Sequence, residues 1–134
     1  MAKIVMLVAA LSGAASQLLG AFGSHILDEG LSDYHLGVYE IAVRYQFYNT
    51  FLLLALGILL LIYPSEKGFK LSAVLVMAGM FIFSGSLYLL ALTDIRWLGA
   101  ITPIGGVAVV AAWLLLAYTT SQLITEKVQV QREK

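Results

Sequence analysis

The chain has 134 residues, room for one domain, and 60% of them are hydrophobic against 12% charged. A water-soluble domain carries about 25% charged residues, so the surface this chain can offer, with a mean hydropathy of +0.90, suits lipid. Zero formal net charge removes the basic field that nucleic-acid binding needs, and the absence of cysteine excludes disulfides, thiolate metal sites and a cysteine nucleophile.

A spanning helix needs about 20 mostly apolar residues, because hydrocarbon cannot satisfy a backbone that does not bond to itself. The first such run is Ile4 to Phe22. Lys3 ahead of it and Gly13-Ala14-Ala15 inside it imitate a secretory signal, but the apolar stretch outruns a signal h-region, so a retained span is expected. Between Ser32 and Arg44 lies a polar stretch with Leu36, Tyr39 and Val43 three and four apart. It predicts a short interfacial helix, capped by Ser32 or Asp33, leading into the second span, Tyr45 to Tyr63. Pro64-Ser65 stops that span, Lys67 and Lys70 flank the turn, and the third runs from Leu71 to Thr93. Asp94 and Arg96 separate it from the fourth, which begins near Leu98 or, with Thr102 as cap and Pro103 in the first turn, at Pro103. The reading is an all-α polytopic membrane protein: four transmembrane helices in a compact bundle over residues 1–124, with spans near 4–22, 45–63, 71–93 and 98–120 and a fraying polar cytoplasmic tail over 125–134. Leu19-Gly20-Ala21 recurs as Leu98-Gly99-Ala100, too short a match to signal an inverted repeat.

Four spans place both termini and the central turn on one side. That side holds Lys3, Lys67, Lys70, Lys127, Arg132 and Lys134, and the other holds Arg44 and Arg96. Positive residues stay inside, so both termini are expected in the cytoplasm. Trp97, Tyr63 and Tyr118 fall where aromatic belts form.

Ser12, Ser16, Gly20 and Ser24 form a four-residue stripe on the first helix, beside Ala9 and Gly13. Small residues let helix backbones approach, and Ser84-Gly85-Ser86 and Gly105-Gly106 are plausible partners for the stripe within the bundle. A homo-oligomer interface is the alternative use. Gln17, in mid-span, suits an interhelical hydrogen bond.

The densest polar set opens the second span. Glu40 and Arg44 are in ion-pair order, and Gln46, Asn49 and Thr50 follow between Tyr45 and Tyr48. Its ordinary use is an interfacial anchor with Arg44 snorkelling to headgroups; its functional use is a polar pocket for a lipid head or small solute. The first outer loop gathers His25, Asp28, Glu29, Asp33, His35 and Glu40, donors a divalent metal could use, but at no known zinc spacing, so no metal site is assigned. There is no nucleophile elbow, no phosphate-cradling Gly-Lys-Ser/Thr loop and no His-Glu-x-x-His, and Gly20-Ala21-Phe22-Gly23 ends a membrane helix instead of following a strand. No catalytic residue and no cofactor are assigned.

Gly20-Ala21-Phe22-Gly23-Ser24-His25, Arg44-Tyr45-Gln46, Phe83-Ser84-Gly85-Ser86-Leu87-Tyr88 and the run from Arg96 to Gly106 resemble the domain of unknown function 423 family. These are small bacterial inner-membrane proteins related to the eukaryotic transmembrane protein 256, and the likeness covers Leu7 to Tyr118. It implies four helices and, for a bacterial source, a multi-pass protein of the inner (plasma) membrane, with no established role to carry over. The family pattern often has a histidine where Asn49 stands here. Residues matching the family that could serve a shared role are His25, Arg44, Gln46, Arg96 and Thr102. With Glu40 and Asn49 they form the candidate ligand-binding set. The expected function is a non-catalytic lipid-binding, assembly or accessory component, with membrane lipids and a further copy or another membrane protein as partners. The alternative is an oligomeric transporter or channel for ions or small solutes. A membrane enzyme built on His25 and the loop carboxylates has the weakest support.

Overall fold

The computed structural model describes residues 1–27 and 30–132; the side chains at 126, 127 and 130–132 lie outside the described set. Four long helices follow one another: α1 (Ala2–Phe22), α2 (Asp33–Ile62), α3 (Lys67–Thr93) and α4 (Leu98–Arg132). Each is long and apolar enough to cross a membrane. Four antiparallel crossings put the N-terminus, the α2–α3 turn and the far end of α4 at one end of the bundle, here called proximal. The α1–α2 and α3–α4 connections form the distal end.

Local chemistry explains the boundaries. Ser32 caps α2, its hydroxyl accepting from the His35 backbone N–H at 3.4 Å. Tyr63 ends the helix before Pro64, which has no N–H to continue it. Glu66 caps α3, its Oε1 accepting from Gly68 N–H at 3.1 Å. Asp94 ends α3 in the left-handed conformation, φ 55° and ψ 22°, a region short polar side chains tolerate.

One boundary differs from expectation. The separate interfacial helix over 32–44 is not seen. Nothing between Asp33 and Ile62 breaks the hydrogen-bond ladder, so those residues form the first turns of α2. Its 30 residues extend about 45 Å, against about 30 Å of hydrocarbon; counting about 20 residues back from Tyr63 reaches Arg44 as the distal boundary. The turns above Arg44 are therefore surplus to one hydrocarbon crossing. Of the two starts open to the fourth span, α4 takes Leu98: the Leu98, Gly99 and Ala100 N–H groups already bond the carbonyls of Ile95, Arg96 and Trp97 at 3.0–3.1 Å. Pro103 therefore sits inside the helix. At its other end α4 continues as helix to Arg132.

α1 passes into a π-helical turn, Gly23–Leu27. At this change of pitch the Tyr39 hydroxyl donates to Leu19 O at 2.9 Å. Gly23 is required here: a Cβ would lie 2.7 Å from Cε1 of the Tyr39 ring. A side chain on α2 thus holds the distal end of α1.

Packing runs between chain neighbours, α1 on α2, α2 on α3 and α3 on α4. The main core joins Val5 and Ala9 of α1, Leu53, Leu56 and Leu60 of α2, Phe69, Ala73 and Val76 of α3 and Ala112 of α4. A smaller cluster, Ala42, Leu87, Leu90 and Leu98, closes the distal end. The outer surface is apolar: Phe81 is 80% and Leu18 73% exposed. Such a rind would aggregate in water and is at home in acyl chains.

Candidate functional site

The small residues of α1 meet α2. A Cβ on Gly13 would stand 3.2 Å from Thr50 Cγ2, and one on Gly20 3.4 Å from Val43 Cγ1. Ser16 is buried and returns its hydroxyl to Gly13 O at 2.8 Å. Ser12 joins a network. Gln46 Nε2 donates to Ser12 O at 3.1 Å, and Thr50 donates to Ser12 Oγ at 3.2 Å. Ser12 Oγ lies 3.4 Å from Met80 Sδ, and the Tyr88 hydroxyl donates to Gln46 Oε1 at 2.8 Å. One amide on α2 therefore links α1 and α3. Tyr88 and Tyr39 also meet edge to face, ring centroids 5.2 Å apart.

Asn49 parts company with Gln46 and Thr50. It is 5% exposed and lines a separate crevice of about 370 Å³ with Tyr45, Tyr48, Phe83 and Trp113, toward α4. Thr102 is taken up in helix packing: its hydroxyl lies 2.8 Å from Ser86 Oγ and donates to Leu98 O at 3.3 Å. Gly105 is a close-approach residue, since a Cβ there would fall 2.5 Å from Phe83 N, and Gly106 is in ordinary contact with Phe83. Gly85, expected to pack, does not: a Cβ there would meet nothing within 4 Å, because its helix face opens into a groove.

The distal charges sort into two places. His35 Nε2 stands 3.1 Å from Asp94 Oδ1, with its Nδ1 2.9 Å from Ser32 Oγ, and Arg96 Nε reaches the same Asp94 oxygen at 3.7 Å. These contacts tie the start of α2 to the end of α3; Arg96, 89% exposed, is a weak partner. Glu40 and Arg44, in contrast, form no ion pair with each other or with any described residue. They line a crevice of about 280 Å³ with Gly20, Gly23, Ser24 and Tyr39. Both residues are exposed at that opening between α1 and α2. His25 is exposed on the π turn. Among the described residues no three His, Asp or Glu side chains converge on a point; Asp28 and Glu29 lie outside the described residues. Gln17, expected to bond between helices, faces outward and makes no hydrogen bond among the described residues.

Sequence reasoning missed Tyr39, Tyr88, His35 with Asp94, and Ser84. Tyr88 carried a signal, a phenol a turn inside an apolar helix end. The His35–Asp94 contact spans 59 residues and had none.

Four apolar helices with buried polar links and a lipid-facing rind define a small multi-pass membrane protein. Comparison with known proteins agrees. The model of the family described as "Protein of unknown function (DUF423)" matches residues 19–106. The chain is 41% identical to a UPF0382 membrane protein of Staphylococcus haemolyticus, over 91% of this chain and 98% of that protein. It is 36% identical to the UPF0382 membrane protein YwdK of Bacillus subtilis, over 85% and 93%. It is 35% identical to the UPF0382 inner membrane protein YgdD of Escherichia coli strain K12, over 85% and 86%. The chain belongs to this DUF423 (UPF0382) family of membrane proteins. No solved structure matches it.

Proposed function

We propose that the protein is a non-catalytic, lipid-binding component of the inner membrane, with both termini in the cytoplasm and the distal end outside. The inner-membrane placement follows the Escherichia coli relative, an inner membrane protein. The orientation follows the lysine-rich proximal end. The observation that carries the lipid reading is the crevice between α1 and α2, where Arg44 and Glu40 lie four residues apart at the hydrocarbon boundary without an ion-pair partner among the described residues. A guanidinium there suits a lipid phosphate, and a carboxylate one turn higher suits an amine. Together they fit a zwitterionic phosphoethanolamine headgroup better than a purely anionic one.

Native mass spectrometry of the purified protein, loaded with phosphatidylethanolamine or phosphatidylglycerol, tests this. Phosphatidylethanolamine is expected to remain bound to wild type. Arg44→Gln should weaken retention about tenfold, and Glu40→Gln should erase the preference over phosphatidylglycerol. Equal retention by all three proteins would sink the reading.

Gln17 supports a second reading, self-association. Its amide faces hydrocarbon beside Ala10 and Ala14, along an apolar groove of about 340 Å³ between α1 and α2. A carboxamide is its own hydrogen-bond complement, so a second copy related by a two-fold axis would satisfy both amides. Donor–acceptor labelled protein in liposomes should show energy transfer that Gln17→Leu reduces by about threefold in association constant. A signal indifferent to that substitution removes the amide as the contact, and with it the main support for an oligomeric transporter.

A further inference from the structure

Another membrane-facing cavity lies between α1 and α3, floored by α2, with a volume of about 340 Å³. It is distinct from the Arg44 crevice and shares no lining residue with it. Its polarity is graded along the membrane normal. Toward the distal boundary it presents Tyr88, Gln46 and Ser84; toward the midplane it presents Phe81, Met77 and Val8. Counting along α3, the span from Tyr88 to Met77 is about 16 Å, a head and the first part of a chain in one leaflet.

The floor is neutral. No lysine, arginine, aspartate or glutamate lines it, so a phosphate or carboxylate would enter without a counter-charge, at a prohibitive desolvation cost. What the floor holds in excess is donors. Tyr88 spends its hydroxyl on Gln46 Oε1, and Gln46 spends one of its two amide hydrogens on Ser12 O. Ser84 is different. Its hydroxyl is buried, at 2% exposure for the residue, and has no hydrogen-bond partner. A serine in a membrane helix ordinarily returns its proton to a carbonyl one turn earlier, as Ser86 does to Phe83 O at 3.0 Å. Ser84 does not, and it borders the groove. Gly85 beside it leaves the wall open where any side chain would fill it.

We infer that this groove binds a neutral amphiphile that enters sideways from the bilayer, its carbonyl oxygen accepting from Ser84 and its apolar chain lying along Phe81 and Met77. Soft, adaptable methionines suit a chain of variable shape. A glycerolipid ester and an isoprenoid quinone both supply such a carbonyl on an apolar tail.

The full-length protein, in detergent micelles, is titrated with dioleoylglycerol in one arm and decylubiquinone in the other, and adducts are counted by native mass spectrometry. A one-to-one adduct is expected in at least one arm, and the arm that gives it identifies the source of the carbonyl. Gly85→Leu, whose Cβ meets nothing within 4 Å and whose branches extend into the groove, should weaken that adduct by about tenfold or more, and Ser84→Ala by about threefold, the worth of a hydrogen bond in lipid. Ser72→Ala removes the other buried, unpartnered serine hydroxyl, outside this groove, and should change nothing. Arg44→Gln should also change nothing, so failure here is separable from failure of the headgroup site. No adduct in either arm overturns the inference. So does an adduct that survives both Gly85→Leu and Ser84→Ala, since that is annular lipid. Thermal unfolding of each variant confirms that a lost adduct reflects a filled groove and not a lost fold; should Gly85→Leu fail to fold, Ser84→Ala alone decides.

Discussion

Gly105→Ala is expected to lower the stability of the protein by about 3 kcal/mol, the upper range for overpacking. The reason is what a single methyl would meet. A Cβ at Gly105 lies 2.5 Å from Phe83 N, 2.7 Å from Gly79 O and 2.9 Å from Phe83 Cα, all backbone atoms of α3. A Cβ on Gly79 finds Gly105 O at 2.8 Å from the other side. A side chain could turn aside, but two helix backbones can only separate. In lipid their association rests on close van der Waals contact without a hydrophobic drive, so a small separation forfeits much of it. Two neighbours serve as controls. Gly106→Ala places its methyl 3.6 Å from Phe83 Cδ2, an ordinary contact, and Gly85→Ala meets nothing within 4 Å. Both should stay within about 1 kcal/mol of wild type, on the favourable side where alanine's better helix propensity shows. A dodecyl sulfate titration of the purified proteins, followed by circular dichroism, separates the three. If Gly105→Ala unfolds at the wild-type midpoint, α3 and α4 do not cross there as described.

Gln46→Leu is the second large effect. The amide supplies two interhelical bonds, to Ser12 O on α1 and from Tyr88 on α3. Each such bond contributes about 0.6 kcal/mol on average in a membrane protein. Leucine removes both and leaves the Tyr88 hydroxyl without its acceptor at low dielectric, so a loss of about 2 kcal/mol is expected. Tyr88→Phe removes one bond and should lose about half as much. The informative variant is the double one. Once Gln46 is leucine, the phenol hydroxyl has lost its partner, so removing it adds little, and the double variant should lose less than the sum of the two single losses by about 0.6 kcal/mol or more. Strict additivity in the same titration would mean that the Tyr88–Gln46 contact contributes nothing. The measurement also bears on the neutral groove, because Gln46 and Tyr88 form its polar end. The double variant should stay folded yet bind neutral amphiphiles less well than wild type.

Much of the candidate site could be named from the sequence but not arranged. Gln46, Asn49 and Thr50 read as one polar stripe; the bundle turns Gln46 and Thr50 toward Ser12 and sends Asn49 into a crevice facing α4. Glu40 and Arg44 read as a pair by spacing, and spacing on a helix brings two side chains near without deciding that they meet. They face a common opening instead. Ser84 and Ser86 look equivalent in sequence. One bonds to Phe83 O and Thr102, while the other has no partner and borders a cavity. Thr102, singled out as a possible ligand contact, is committed to that helix junction.

The amino-acid sequence by itself determined the lipid solvent, the four spans and most of their ends. Hydropathy summed over about 20 residues, a proline or a capping side chain acts along one stretch of chain and needs no knowledge of its neighbours. It did not determine that α2 runs unbroken from Asp33, since an unbroken ladder and two short helices place the same residues at the same interface. Only the tertiary structure decided which face of each helix meets another and which is left to lipid. Helix rotation and crossing angle are set by contacts between residues far apart in sequence, such as Gly79 with Gly105, Tyr39 with Leu19 and His35 with Asp94. Those contacts leave Gly85 and Ser84 at an open groove while burying Gly105 against backbone, a distinction that three small residues in apolar helices cannot express in one dimension.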